Sequence, residues 1–151
     1  MQHRISAGAI VEEEGRILLV RHRRPQRYDF WVAPGGGVKE AEELRVAAVR
    51  EVREESGLEI EPLELVYIEE LVDPETRHCK FWFTARLLGG TLSTRHPEAT
   101  AEYIIDAAWL SRSEMEGKVV FPPVLAEQYW SDKNRGFSGP IHLGLRPMEF
   151  W

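Results

Sequence analysis

The sequence predicts a mixed α/β layer structure. Short apolar runs of strand length open the chain. A long segment without Gly or Pro, residues 40–56, follows them and reads as a helix. Further strand-like runs come after that helix, and strands before, between and after helices need layers of both kinds.

The elements follow in chain order. Residues 5–11, ISAGAIV, and 17–20, ILLV, are apolar runs split by EEEGR, which predicts two strands joined by a turn at Gly15. RHRRPQR, Arg21 to Arg27, reads as a basic loop. FWVAPGGG, residues 30–37, is a short apolar stretch that turns at Pro34 and three glycines. Residues 40–56 are rich in Ala, Glu, Leu and Arg, good helix formers, and Gly57 is suited to cap the C-terminus. Leu63–Val72 and Lys80–Leu88 read as strands around the turn DPETR, and Tyr103–Leu110 as another. Pro122 and Pro123 suit the first turn of a second helix over Val124–Trp130. Residues 131–151 mix turn formers and aromatics without a clear period, and no internal repeat is present.

Composition narrows the function classes. A chain of 151 residues with 43% apolar residues suits one domain, residues 1–151, with 120–151 as an extension, lid or dimer segment. Net charge is −6, from 25 acidic and 19 basic residues, which argues against a general binder of nucleic-acid duplexes. A polyanionic small molecule held through bound cations stays compatible with it. Cys79 is the single cysteine, so no internal disulfide is expected. No long apolar run suggests a membrane span, and the N-terminus does not read as a signal peptide. A cytoplasmic protein is the expectation.

REVREESG, residues 50–57, concentrates charge. On a helical wheel Leu44, Ala48 and Val52 form an apolar stripe. Glu51 and Glu55 fall at its Leu44 edge, and Glu54 lies just past Ala47. Like charges at this spacing repel by roughly 0.2–0.5 kcal/mol per pair. Carboxylates beside a core must be paired, hold a metal or protonate. Arg50 reaches Glu54 but cannot neutralise all three. A hard divalent cation would, and oxygen ligands favour magnesium, manganese or calcium. A solvated helix end is the bland alternative.

The wider spacing carries a family pattern. From Gly36 there are five residues, then Glu42, seven more, then Arg50-Glu51-Val52, one residue, Glu54-Glu55, one residue, and Gly57-Leu58. This resembles the Nudix box at every defined position. Trp31, Pro34, Gly35 and Gly36 before the box, and Trp109 late in a following strand, are similar to the family as well. One departure is Ala41, where many relatives have Gly before the glutamate.

The resemblance implies an α/β/α sandwich with a mixed sheet and a loop–helix–loop box. It implies hydrolysis of a nucleoside diphosphate linked to another moiety, with Mg2+ or Mn2+ as cofactor. Glu51, Glu54 and Glu55 would be metal ligands, with Glu51 or Glu54 also helping to activate water. Gly35 would offer its carbonyl to the metal, and Arg50 would orient a neighbouring glutamate. Glu42 would support the site, directly or through water, on the side where substrate binds. The family's general base can come from a later loop; Glu98, Glu102 and Asp106 are candidates, and Glu102 is favoured.

Substrate signals conflict. Arg21, Arg23, Arg24 and Arg27 could bind phosphate oxygens. Pro74, sixteen residues past Leu58, matches many ADP-ribose pyrophosphatases. The short N-terminal region and PGGG are closer to small relatives that hydrolyse nucleoside triphosphates. His22, His78, His96 and His142 lack zinc-like spacing and read as structural or surface residues. The aromatics Tyr129, Trp130, Phe137, Phe150 and Trp151 could stack on a base, close a lid or bury a homodimer contact. Two other readings exist within the superfamily. One is a Nudix-fold nucleotide-binding or regulatory module without catalysis; its relatives usually carry eroded boxes, and this one is complete. The other is an isomerase of isoprenoid diphosphates, for which Cys79 is poor support.

Overall fold

The computed structural model describes residues 1–150. Strands β1 (Gln2–Glu13) and β2 (Arg16–Arg24) form the first hairpin, with Glu13 opposite Arg16. Its two-residue loop places Glu14 and Gly15 at φ of 51° and 75°. That left-handed pair matches the twist of the flanking strands, and glycine adopts it without strain. The second strand runs on through Arg24, so Arg21 and Arg23 lie on a strand rather than in the expected loop. They extend it because they pair with β3 (Tyr28–Val32), Arg23 lying opposite Asp29.

After β3 come the three-residue strand β4 (Gly35–Gly37) and helix α1 (Leu44–Ser56). The helix starts later than residue 40. Glu40 has φ of 45°, and the Lys39 N–H donates to Glu42 Oε1 at 3.1 Å, so residues 39–42 close a turn instead. Glu43 caps the N-terminus by accepting from the Arg45 N–H. Gly57 ends the helix at φ of 78°, donating to the Arg53 carbonyl at 2.9 Å.

Next come β5 (Leu58–Val72) and β6 (Thr76–Gly90), a long antiparallel hairpin. The short helix α2 (Pro97–Ala101) precedes β7 (Ile104–Leu110), which pairs with β2. The chain closes with β8 (Val120–Phe121), α3 (Tyr129–Arg135) and β9 (Ile141–Pro147). The strands run β8-β3-β2-β1-β6-β5-β9, with β4 on β1 and β7 on β2. The β1–β6, β3–β8 and β5–β9 pairs are parallel and the others antiparallel, so the sheet is mixed.

Side chains that alternate along a strand sort the core into two faces. Ala7, Ala9 and Val11 of β1, Leu18 of β2, and Phe83 and Ala85 of β6 face α1, where Ala47, Ala48 and Val52 meet them. Ile10, Ile17, Leu19 and Trp82 face the other way, with Trp31, Tyr67, Leu125 and Tyr129. Helices therefore cover both faces, the expected α/β/α sandwich. Val124–Trp130 is not one helix. Pro123–Ala126 is a 3-10 turn, and the Trp130 indole donates to the Leu125 carbonyl at 2.8 Å. The helix runs on past the apolar stretch because buried Asp132 accepts from the Tyr67 hydroxyl at 2.6 Å, giving a polar residue an inward position. Among the described residues no helix is long and apolar enough to cross a membrane.

Candidate active site

The last turns of α1 lie against β4. Glu51 is 5% exposed and Glu55 1%, so neither acid is a solvated helix end. Glu102, at the C-terminus of α2, completes the group: one oxygen from each of Glu51, Glu55 and Glu102 lies within 4.8 Å of the others. Glu55 Oε1 accepts from the Gly35 N–H at 3.2 Å, whereas Glu55 Oε2 is buried without a hydrogen-bond partner among the described residues. An ionised carboxylate left this way is costly unless a cation reaches it.

The electrostatics agree. Burial raises the Glu55 pKa well above the usual carboxylate range, and the charges of Glu102 and Glu51 raise it further. Burial also raises Glu51, against the opposing effect of Arg50. Glu102 is open to solvent on one side; burial of the other and the charges of Glu51 and Glu54 raise its pKa too, against an opposing interaction with Glu55.

Arg50 organises the rest. Its Nε and Nη2 donate to both oxygens of Glu42, each at 2.8 Å. Its Nη1 donates to Glu51 Oε1 at 2.8 Å and Glu54 Oε2 at 3.2 Å, and Nη2 also reaches the Gly37 carbonyl at 3.1 Å. Five contacts use the five N–H groups of the guanidinium. The fork on Glu42 holds that carboxyl at a pKa of about 2. Arg50 thus compensates Glu42, Glu51 and Glu54 but does not touch Glu55.

Glycine is required in the loop facing these acids. A Cβ on Gly36 would lie 2.6 Å from the Glu51 carboxyl, and one on Gly35 would lie 2.7 Å from Gly8 Cα. A three-oxygen group from carboxylates, an orphaned buried oxygen and a side-chain-free loop together fit a hard divalent cation.

The other expected site residues fall into two sets. Glu54, in the same turn as Glu51 and Glu55, sits on Arg50 outside the three-oxygen group. Arg21 makes a bidentate pair with Asp29, at 2.8 and 2.6 Å, and Arg23 approaches the same carboxylate at 3.9 Å. Arg27 is exposed in the β2–β3 turn. Glu98 is exposed on α2, and Asp106 accepts from the Ala107 N–H at 2.8 Å.

His22, read from the sequence as structural or surface, stands beside the Glu102 backbone. Its Nδ1 lies 3.1 Å from the Glu102 carbonyl, and its ring stacks on Phe30 at 5.0 Å. Burial lowers its pKa to about 4, so the ring is neutral at pH 7 and donates to that carbonyl. Lys80 on β6, with Trp82, lines a small cavity against Gly35 and Gly36, a placement the sequence reading does not anticipate. The only sequence signal was one cation inside the aromatic run KFWF, and nothing in that run says which side of the sheet it faces.

The NUDIX domain family model matches residues 2–129. The chain belongs to the Nudix family. A relative, the 8-oxo-dGDP phosphatase NUDT18 of Homo sapiens, is 35% identical over 105 residues, covering 70% of this chain and 31% of that protein. An ADP-ribose pyrophosphatase of Methanocaldococcus jannaschii is 29% identical over 101 residues, covering 66% of this chain and 60% of that one. This Nudix chain spans about a third of the length of the first curated relatives it matches. Its fold matches the crystal structure of a NUDIX hydrolase from Nitrosomonas europaea with a TM-score of 0.78 at 20% identity, covering 98% of this chain and 81% of that one.

Proposed function

We propose that this Nudix protein is a divalent-metal-dependent hydrolase that cleaves the pyrophosphate bond of a nucleoside diphosphate linked to another moiety. The observation that carries this reading is the buried, unpaired Glu55 oxygen grouped with oxygens of Glu51 and Glu102. Relatives described as an 8-oxo-dGDP phosphatase and an ADP-ribose pyrophosphatase support the substrate class.

Glu51, Glu55 and Glu102 would hold Mg2+ or Mn2+. Glu54 is a fourth ligand in this proposal, because its Oε1 carries no hydrogen bond among the described residues. The Gly35 carbonyl, in the loop pressed on Glu55, is the fifth. Bound divalent cations neutralise pyrophosphate charge, polarise phosphorus and lower the pKa of water. Arg50 holds the Glu51 and Glu54 carboxyl groups in position, and Glu42 keeps Arg50 in place.

Glu102 is the general base. It stands at the solvent-exposed edge of the three-oxygen group, where an attacking water can reach it. Water attacks one phosphorus, its proton passes to Glu102, the bridging P–O bond breaks, and the electron pair leaves on the departing phosphate. Arg23 and Arg27, both exposed, serve in this proposal as outer contacts for substrate phosphate, while Arg21 shapes that strand through Asp29.

A panel assay tests the proposal. It offers ADP-ribose, nucleotide sugars, dinucleoside polyphosphates, nucleoside triphosphates and oxidised deoxynucleotides in magnesium and in manganese, at pH 7 to 9. Turnover of at least one substrate that EDTA abolishes is the expected result. Metal-dependent binding of a nucleotide with no product over hours would replace the hydrolase by a binding module.

A further inference from the structure

Glu102 differs from the other acids in how it is carried. Glu51 and Glu55 belong to the 13-residue helix α1, whereas Glu102 caps α2, which has five residues. So short a helix has too few internal hydrogen bonds to fix its own end, and tertiary contacts must set it. The next residue, Tyr103, is left-handed at φ of 62°, a conformation that a residue with a Cβ keeps only where its surroundings hold it.

Three consecutive residues of β2 hold this corner. The His22 Nδ1–H donates to the Glu102 carbonyl at 3.1 Å, from 80 positions away in the chain. A carbonyl can only accept, so the proton sits on Nδ1. The Arg23 N–H donates to the Tyr103 carbonyl at 3.1 Å, and the Arg24 guanidinium lies 4.8 Å from the centre of the Tyr103 ring. A bulge accompanies these contacts: Arg21 lies opposite Asp106 but His22 opposite Ile104, so Ile105 is an extra residue on β7. Bulges re-aim neighbouring groups and recur beside active sites. Of the three contacts, that of His22 falls on Glu102 itself. The His22 ring is fixed in turn, stacked 8° from parallel on Phe30, its partner across β3. Phe150 covers the other face of Phe30 with planes 2° apart.

We propose that His22 is a positioning residue for Glu102. Its hydrogen bond fixes the backbone from which the Glu102 carboxylate reaches the oxygens of Glu51 and Glu55, so the three-oxygen group is formed before a cation binds. The proposal rests on the reading of Glu102 above and adds the residue through which β2 controls it. The competing role for the bond is only to satisfy a carbonyl at the end of α2.

Mn2+ binding, followed by electron paramagnetic resonance, tests this without substrate. His22→Phe and His22→Leu remove the donor, and His22→Phe keeps a ring on Phe30. His22→Asn loses the ring but keeps a nitrogen donor attached to Cγ, as Nδ1 is. Both donorless variants are expected to bind Mn2+ about tenfold more weakly, the scale for losing a group that orients a metal ligand. His22→Asn should restore most of the affinity. In a Glu102→Gln background His22→Phe should cause no further loss, because both changes act through one carboxylate. With a substrate that the wild type turns over, His22→Phe should lower kcat about tenfold and leave KM unchanged.

Wild-type Mn2+ affinity in the donorless variants overturns the proposal. So does an equal loss in the Glu102→Gln background, a His22→Asn variant as weak as His22→Phe, a change in KM alone, or a wild type that binds no Mn2+. Unfolding of both donorless variants overturns it as well, since the bond would then serve the fold rather than the acid. A wild type that shows the expected Mn2+ pattern and hydrolyses nothing would overturn the hydrolase and leave His22 in its role.

Discussion

Glu55 and Glu102 bring carboxylate oxygens within 4.8 Å of each other, one from the end of α1 and the other from the end of α2. Arg50, which offsets Glu51 and Glu54, does not reach either of them. The two acids therefore share a deficit of positive charge that the fold itself does not fill.

Removing one of these charges should separate stability from function. Glu55→Gln abolishes a buried carboxylate held well above its ordinary pKa. In EDTA its Tm is expected to equal or exceed that of wild type. The rise in Tm on adding magnesium should largely disappear, and turnover should fall about a hundredfold or more. Thermal melts with and without metal, together with the panel assay, measure all three. Wild-type turnover by this variant would remove Glu55 from the site.

The pH dependence follows from the same shifts. The folded-state pKa values of Glu51, Glu55 and Glu102 are raised. Without metal these groups cost stability as pH climbs above the unfolded carboxylate value of about 4.3 and through the folded values. A cation needs them ionised, so it competes with protons and binds more tightly as pH rises. The gain in Tm from magnesium is expected to grow from pH 5.5 to pH 8. A gain independent of pH would separate metal binding from these acids.

Arg50 is the structural test. Its five contacts are largely withdrawn from solvent, and its loss leaves Glu42 and Glu51 uncompensated. Arg50→Met should destabilise the protein by about 3 kcal/mol, the scale for breaking a buried ion pair from one side. Arg50→Lys keeps the charge but not the fork that spans both oxygens of Glu42, so it should recover only part. Urea denaturation in EDTA reads both variants without interference from metal.

The base assignment is tested by three neighbours. Glu102→Gln should lower kcat about a hundredfold to ten-thousandfold. Glu98→Gln, on an exposed position of α2, and Asp106→Asn, whose carboxylate caps the Ala107 N–H, should stay within about threefold of wild type, the ordinary range for substitutions away from the chemistry. A large loss at Glu98 or Asp106 with Glu102→Gln active would transfer the role.

The helix and its acids were legible because they are local. A period of 3.6 residues places Glu51 and Glu55 beside the Ala48–Val52 stripe whatever the rest of the chain does. Gly57 marked the C-terminus for the same reason, while the start was read early because the Glu42 turn imitates helix-friendly composition. The basic segment was misread because Arg21 and Arg23 look solvated one by one. Their strand character comes from pairing with β3 and from Asp29, eight residues beyond Arg21.

By itself the sequence determined the helix, its glycine cap, the spacing of the box and hence the family. All of these depend on residues close together in the chain. Only the tertiary structure decided that Glu102 rather than Glu54 closes the three-oxygen group, and that Arg21 belongs to Asp29. It likewise decided that His22 meets the Glu102 carbonyl and that Lys80 lies against Gly35 and Gly36. Those placements depend on strand register, since a shift of one residue would turn His22 or Lys80 to the opposite face of the sheet.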